Sequence, residues 1–195
     1  MLQNRKSDPA QLAGDIMQWL DRPLVLVGLM GVGKSTVGKR LAGELGIGFI
    51  DADEAIETAA QMSISEIFEK FGEPYFRDGE RRVIARLIDG TPKVIATGGG
   101  AFMNDETRAL ILERTMSVWL DADVATLVDR VRRRGSRPLL KGKDPGAVLT
   151  ALAAVRNPVY AQARIRVGSK PGPHHETVDA IVNALAAANA GEAAR

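Results

Sequence analysis

The chain has 195 residues, of which 45% are hydrophobic and 26% charged, a composition typical of one globular domain in water. The absence of cysteine excludes disulfides, thiol catalysis and thiolate metal sites. The formal net charge is only +2 and no apolar run is long enough to span a membrane, so neither a nucleic acid nor a membrane is an expected partner, and the cytoplasm is the expected compartment.

Residues 1–22 precede the first apolar strand. We expect a short helix there, capped by Ser7 or Asp8 with Pro9 in its first turn. This segment is interpreted as a loosely docked N-terminal extension, and the domain itself is predicted to span residues 23–185. The alanine-rich tail, residues 186–195, is expected to fray after a terminal helix.

Apolar strands and amphipathic helices alternate through the rest of the chain. Strands are predicted at residues 24–28, 47–51, 93–100, 117–123 and 163–167. Helices are predicted at residues 35–45, 53–72 in two pieces, 73–88, 105–113, 124–133 and 145–160, before the C-terminal helix. This order predicts an α/β three-layer sandwich, with a central five-stranded parallel sheet flanked by helices. Ligands of such sheets bind beyond the carboxyl ends of the strands.

The first strand ends in the stretch "GLMGVGKS", which begins at Gly28 and matches the full P-loop pattern. Backbone N–H groups of such a loop converge on phosphate oxygens, helped by the dipole of the following helix. Lys34 is expected to reach the β- and γ-phosphates of a nucleotide, and Ser35 to offer its hydroxyl to Mg²⁺. The alternative is a glycine-rich turn without a ligand. The residues predicted to bind ATP here are Gly31, Val32, Gly33, Lys34, Ser35 and Thr36.

The second strand ends in "DAD" and the third in "TGGG". Because neighbouring residues of a strand alternate in direction, Asp51 and Asp53 can serve different groups, one a metal and the other a second ligand. The alternative for Asp53 is simple capping of the next helix. Close approach of a small ligand to the backbone explains three consecutive glycines better than a plain turn does.

Three arginines stand in unusual settings. Arg77 in "GEPYFRDGERR" could be a surface arginine paired with Glu80, while Arg156 in "VRNPVY" precedes a proline that disturbs the helix. Arg137 lies in a Gly/Pro/Lys/Arg loop, residues 134–146, which we interpret as a lid that brings a cation to the transferring phosphoryl group. The basic run from Arg130 to Arg137 could otherwise be a solvated helix end.

In chain order, the motifs GLMGVGKST, DAD, FRDGE, TGGG, RPLL and RNPVY resemble those of the shikimate kinase family, over about residues 22–185. The resemblance implies a P-loop kinase fold of the nucleoside-monophosphate-kinase type with a lid. It also implies the reaction of ATP with shikimate to give ADP and shikimate 3-phosphate, a step of aromatic amino acid (chorismate) biosynthesis. Mg²⁺ is the implied cofactor, and a monomer is expected.

The resemblance also implies roles for individual residues. Lys34 and Arg137 would stabilise charge on the γ-phosphoryl group, and Arg137 would also contact ATP. Asp53 would orient the 3-hydroxyl of shikimate and could accept its proton. Mg²⁺ would be held by Ser35 and, through water, by Asp51. The implied shikimate-binding residues are Asp53, Arg77, Gly98, Gly99, Gly100 and Arg156.

The match to the family pattern is incomplete at two places. One arginine among Arg132, Arg133 and Arg134 would lie against adenine, but the spacing of the motifs does not say which one. Asp78 follows Arg77, where a second basic residue is common in the family, while Arg77 and Glu80 keep their family spacing.

Other functions remain open from the residues. A kinase for another polyol acid, such as gluconate, would keep Lys34 and Ser35 but has no need of the triglycine together with the two arginines. A nucleotide kinase usually shows more lid arginines. A non-catalytic module could use the basic run to bind ATP or nucleic acid. A metal site at His174 and His175 lacks further ligands nearby, so both are interpreted as surface or cap residues.

Overall fold

The computed structural model describes residues 9–133 and 144–193. Helices and strands alternate within these ranges, as predicted. The strands are β1 (Leu24–Val27), β2 (Gly48–Asp51), β3 (Lys93–Ala96), β4 (Met116–Asp121) and β5 (Ile165–Gly168). The helices are α1 (Pro9–Trp19), α2 (Lys34–Leu45), α3 (Ala52–Ala60), α4 (Ile64–Leu87), α5 (Asp105–Arg114), α6 (Val124–Arg133), α7 (Pro145–Tyr160) and α8 (His174–Ala193). A short 3-10 helix, Ala101–Met103, follows the triglycine turn.

The described strands form one parallel sheet in the order β2-β3-β1-β4-β5. All four residues of the central strand β1 are buried, because a parallel sheet is covered on both faces. Helices α1, α2 and α8 pack against one another, and α5 packs on β4. The predicted five-stranded α/β sandwich is therefore confirmed. It places the carboxyl ends of β1, β2 and β3 along one edge.

Helix α1 forms in the segment that we interpreted as an extension. Its apolar side chains Ala13 and Ile16, together with Leu20, are buried in the main core. The helix packs against α2 and α8. The expectation of loose docking is wrong, because these side chains fill space between the two helices and remove apolar surface from water.

Helix α8 continues to Ala193, past residue 186 where fraying was expected. The tail is rich in alanine, which has the highest intrinsic helix propensity and loses no side-chain entropy when the helix forms. The same composition that suggested a frayed tail therefore favours a longer helix.

Helix α4 has a kink at Gly72, where φ is 78° and ψ is 176°. One helix was predicted to end at residue 72 and the next to begin at residue 73. In the structure the two are joined into one helix across the kink. The helix starts with a capping box between Ser63 and Glu66. Its second half carries Arg77 and Glu80 toward the end of β3.

Candidate active site

The predicted phosphate loop connects β1 to the N-terminus of the 12-residue helix α2. Three of its glycines have backbone conformations that L side chains rarely adopt, with φ of 138° at Gly28, 82° at Gly31 and 101° at Gly33. A methyl group on Gly28 would lie 2.5 Å from the carbonyl oxygen of Leu120 in β4. The loop therefore passes so close to the sheet that only glycine fits at its start.

Lys34 folds back over this loop. Its Nζ donates hydrogen bonds to the carbonyl oxygens of Gly28 at 2.7 Å and Leu29 at 3.0 Å. Thr36 follows in the first turn of α2, and the side chain of Val32 is buried. The ammonium group is thus already at the loop, where the dipole of α2 also favours an anion.

The two acids of "DAD" face different partners. Ser35 Oγ donates to Asp51 Oδ2 at 2.6 Å, and Asp51 Oδ1 accepts from the backbone N–H of Asp53 at 3.0 Å. Asp51, and not Asp53, is therefore the N-cap of α3, which corrects the capping alternative. A hydroxyl and a carboxylate side by side at the start of α2 are the oxygen donors that Mg²⁺ prefers.

The triglycine turn makes room for groups of the protein itself. A methyl group on Gly98 would lie 2.7 Å from Asp53 Oδ1 and 3.0 Å from Glu80 Oε1. One on Gly100 would lie 2.6 Å from both terminal nitrogens of Arg77. The expectation that a ligand alone explains these glycines is thus incomplete, because side chains from α3 and α4 already occupy the space beside them.

The middle glycine adjoins the phosphate loop. A methyl group on Gly99 would lie 3.4 Å from the backbone nitrogen of Met30, 3.6 Å from the carbonyl oxygen of Gly28 and 3.5 Å from Arg156 Nη1. The turn after β3 therefore has the phosphate loop on one side and basic side chains on the other.

Arg77 is held by two carboxylates. Its Nη1 donates to Glu80 Oε2 at 2.7 Å, and its Nε and Nη2 donate to Glu73 Oε1 at 3.2 Å. Burial alone would lower the pKa of Arg77, but Glu80 and Glu73 together raise it. Burial raises the pKa of Glu80, which is only 2% exposed, and the nearby Arg77 opposes that shift. The pairing of Arg77 with Glu80, given above as the surface alternative for Arg77, is present, but Glu80 is buried. The position of Glu80 three residues after Arg77 on a helix was the signal of this ion pair.

Arg156 and Tyr160, both in α7, hydrogen-bond to the turn after β3. Arg156 Nη1 donates to the carbonyl oxygen of Gly99 at 2.9 Å, and the Tyr160 hydroxyl donates to the same oxygen. Burial raises the pKa of Tyr160 to about 12, so the phenol remains a donor at neutral pH. Sequence reasoning missed Tyr160, although its place four residues after Arg156 puts both on one helix face.

The arginines of the basic run that lie in the last turn of α6 have different surroundings. Arg130 donates to the carbonyl oxygen of Val32 at 3.0 Å, to Ser169 Oγ at 2.9 Å and to the carbonyl oxygen of Lys170 at 2.7 Å. Arg130 therefore ties the phosphate loop to the segment after β5 and is not a solvated residue. Arg132 is exposed, which agrees with the alternative interpretation of this run as a solvated helix end.

A cavity of about 280 Å³ lies beside the phosphate loop. His174 lines it and lies close to Gly33, with its Cε1 3.6 Å from where a Gly33 methyl would be. His174 was interpreted as a surface or cap residue; it is the first residue of α8 and is half-buried, because the turn before α8 brings it against the loop. Arg134 and Arg137 lie outside the described residues, as does most of the predicted lid. The lining residues are Gly31, Gly33, Thr126, Asp129, Arg130, Arg133, Pro171, Gly172 and His174.

A phosphate loop at the carboxyl edge of a parallel sheet, next to a cluster of basic side chains, is typical of the class of P-loop phosphotransferases. Sequence comparison narrows this class. The sequence model of the shikimate kinase family, described as "Shikimate kinase", matches residues 30–186. The chain belongs to the shikimate kinase family and is a kinase, which confirms the resemblance seen in the motifs.

Relatives and solved structures agree with this assignment. Shikimate kinase of Caulobacter vibrioides is 58% identical over 92% of this chain and 90% of its own length. Shikimate kinase of Rhodopseudomonas palustris is 56% identical over 85% of this chain and 81% of its own. The structure of shikimate kinase from Acinetobacter baumannii in complex with shikimate superposes with a TM-score of 0.79 at 36% identity, covering 83% of this chain and 91% of that one.

A gluconokinase from Sinorhizobium meliloti shares only the fold, with 18% identity and a TM-score of 0.52 over 86% of this chain and 93% of that one. Gluconate kinases were the nearest enzyme alternative in the sequence analysis. The family match therefore favours shikimate kinase over this alternative.

In residues 9–133 and 144–193, no helix combines the length and apolar character needed to cross a bilayer.

Proposed function

We propose that this protein transfers the γ-phosphoryl group of ATP to the 3-hydroxyl of shikimate, giving shikimate 3-phosphate and ADP for chorismate and aromatic amino acid biosynthesis. The observation that carries the proposal is the turn at Gly99, which lies against the phosphate loop and is contacted by Arg156. Asp53 and Arg77 lie beside its two neighbouring glycines. A phosphoryl donor in the loop and an acceptor among these side chains would therefore be adjacent.

The acceptor side matches a ring that carries hydroxyls and a carboxylate. Arg77 and Arg156 offer planar guanidinium groups suited to one carboxylate. Asp53 is proposed to orient the 3-hydroxyl and to accept its proton as the new O–P bond forms and the bond to the ADP oxygen breaks. Because the transition state of phosphoryl transfer is loose, a strong base is not needed.

The donor side is proposed to consist of residues 31–36. Their N–H groups cradle the phosphates, and Lys34 exchanges its contacts with Gly28 and Leu29 for phosphate oxygens. The cavity of about 280 Å³ beside the loop suits the nucleoside, with Arg133 as the candidate for adenine because it lines that cavity. Arg137 is proposed to stabilise the transferring group from the lid.

Ser35 and Asp51 are the residues proposed to hold Mg²⁺, Asp51 through water. Their contact at 2.6 Å places two oxygen donors together, which fits an ion that binds oxygen and keeps several waters. When bound, Mg²⁺ neutralises charge on the β- and γ-phosphate oxygens. The described residues hold no group of three or more His, Cys, Asp and Glu placed to bind a metal. The ion would thus depend on the nucleotide as well as on this pair.

We further propose that the enzyme acts as a monomer in the cytoplasm. The described groups assigned to ATP and to the acceptor meet at one edge of the sheet, so bringing them together requires no second copy of the chain. ATP is a co-substrate. Light scattering of the purified chain at assay concentration tests the first point, since a dimer mass would contradict it.

A coupled assay for ADP release with Mg·ATP tests the function, with shikimate, gluconate, quinate or no acceptor. We expect ADP release only with shikimate. Equal release without an acceptor would identify an ATPase instead. If ATP binds but no acceptor supports release, the residues assigned to shikimate serve a different ligand.

A further inference from the structure

A second cavity, of about 550 Å³, lies along the seam between α3 and the second half of α4. Its walls include Ile56, Ile67, Phe76 and Val83, which form a small apolar cluster apart from the main core. The volume is that of typical small-molecule pockets. None of its lining residues is assigned above to ATP, Mg²⁺ or shikimate.

The charge on this cavity is one-sided. Arg81, Arg82 and Arg86 line it, and no acidic residue does. The formal net charge of the whole chain is only +2, so this concentration is local. Arg81 pairs with Asp78 and Glu106, and Arg82 also pairs with Asp78, whereas Arg86 forms no ion pair within the described part of the chain. The cavity thus offers cationic groups beside an apolar wall.

The edge of the cavity exposes aromatic surface. Tyr75 lines it and is 50% exposed. Its ring lies 4.6 Å from that of Phe71, which is 48% exposed. Exposed apolar surface that is rimmed by polar residues is typical of binding sites.

We propose that this cavity binds a small organic anion that has an apolar body and one carboxylate or sulfonate group. The body would pack against Ile56, Phe76 and Val83. The anionic group would reach Arg82 and Arg86, whose guanidinium groups suit such oxygens.

The cavity is connected through Phe76 to the acceptor cluster, which consists of Asp53, Arg77 and Arg156 around the turn at residues 98–100. The guanidinium carbon of Arg77 lies 5.1 Å from the centroid of the Phe76 ring, so Phe76 touches the cavity on one side and supports Arg77 on another. A ligand that moves this ring withdraws support from Arg77 and raises KM for shikimate, while KM for ATP stays unchanged. This coupling rests on the proposed function, whereas binding in the cavity does not.

Binding is tested with two fluorescent probes on the full chain, with Mg·ADP saturating so that the nucleotide site is occupied. Anilinonaphthalene sulfonate carries an anionic group, and N-phenylnaphthylamine is a similar neutral molecule. We expect saturable binding of the sulfonate at one site per chain, at least about tenfold tighter than that of the neutral dye, as expected for one charge-assisted hydrogen bond. Equal affinities would overturn the anion preference.

Variants locate the bound probe. Arg82→Gln with Arg86→Gln should weaken sulfonate binding about tenfold or more by loss of the same interactions. Arg40→Gln with Arg114→Gln removes the same charge from exposed helix positions elsewhere and should change nothing. Ala59→Phe fills the cavity from an exposed helix position and should block both dyes, with Ala180→Phe in α8 as its control. Unchanged binding in both cavity variants would place the dye elsewhere and overturn the proposal.

Steady-state kinetics tests the coupling. The sulfonate should raise KM for shikimate several-fold in wild type but not in the Ala59→Phe variant. An unchanged KM despite binding would overturn the coupling. If shikimate supports no ADP release at all, the proposed function fails, but the two dye titrations still decide whether the cavity binds anions.

Discussion

The phosphate loop and the acceptor cluster meet at Gly99 but differ in what supplies their chemistry. The loop is one contiguous stretch, in which backbone groups and the start of α2 are proposed to provide most of the phosphate contacts. The acceptor cluster draws side chains from α3, α4 and α7 to the turn after β3. One site is local in sequence, and the other depends on the packing of four elements.

The two sites also differ in the interactions that stabilise their polar groups. Backbone N–H groups of the loop are held by glycine conformations and by the helix, so they need few partners elsewhere. Each charged side chain of the acceptor cluster needs its own partner, as Arg77 needs Glu80 and Arg156 needs the Gly99 carbonyl. If this contrast holds, substitutions in the loop should affect turnover and substitutions in the acceptor cluster should affect shikimate binding.

Lys34→Ala should lower turnover by on the order of 10²–10³-fold, because a cation that stabilises the transferring group is lost. Binding of shikimate, measured by calorimetry, should stay near wild type. Lys70→Ala, at an exposed position of α4, is the control. A large loss of shikimate affinity in Lys34→Ala would show that the two sites are not separable.

Arg77→Ala should raise KM for shikimate roughly 30-fold or more, as expected when about 2 kcal/mol of a charge-assisted contact is lost. KM for ATP should change little. The variant also leaves Glu80 buried without its partner, so thermal melting should show lower stability. Glu73→Gln, which removes only the exposed partner of Arg77, should change KM for shikimate and the melting temperature only slightly. Wild-type shikimate affinity in Arg77→Ala would refute the carboxylate assignment.

Gly100→Ala should raise KM for shikimate about tenfold, since overpacking of this kind costs about 1–3 kcal/mol. The added methyl would lie 2.6 Å from two nitrogens of Arg77, whose flexible end can move aside without unfolding the chain. Gly43→Ala, where nothing lies within 4 Å, is the matched control and should be neutral or stabilising. Equal kinetics for both alanine variants would mean that the turn does not position Arg77.

Tyr160→Phe should raise KM for shikimate about fivefold, the effect of one hydrogen bond of about 1 kcal/mol. The ring keeps its packing with Phe102 and Trp119, so the core remains filled.

The same tyrosine gives a pH dependence. Its folded-state pKa, about 12, lies above the ordinary value of 10.0, so the folded chain holds the proton more tightly. Its contribution to stability is complete below pH 10.0 and is lost as the pH rises toward about 12. Urea unfolding at several alkaline pH values should show this fall in wild type and a smaller one in Tyr160→Phe. Identical profiles of unfolding free energy against pH in wild type and Tyr160→Phe would contradict a raised pKa of Tyr160.

Much of the fold could be predicted from periodicity and turn residues. Helix α7, for example, begins at Pro145 after the Asp144 cap and ends at Tyr160, as expected from its cap and proline. The docking of α1 could not be predicted in this way, because its short apolar stripe shows that a face is buried but not against which helices. The lid and Arg137 stay predictions.

The features that could be predicted from the sequence have local causes: the order of strands and helices, the phosphate loop at Gly28 to Ser35, and the family motifs. These depend on the conformations that single residues allow and on spacings of a few positions. The tertiary structure was needed to show that Asp51 caps α3, that Glu80 is buried against Arg77, that Tyr160 hydrogen-bonds to Gly99 and that His174 lies beside Gly33. The last two contacts join residues far apart in the chain, so no local pattern specifies them. The first two join near neighbours, but the choice of Asp51 as the cap and the burial of Glu80 depend on how the helices pack.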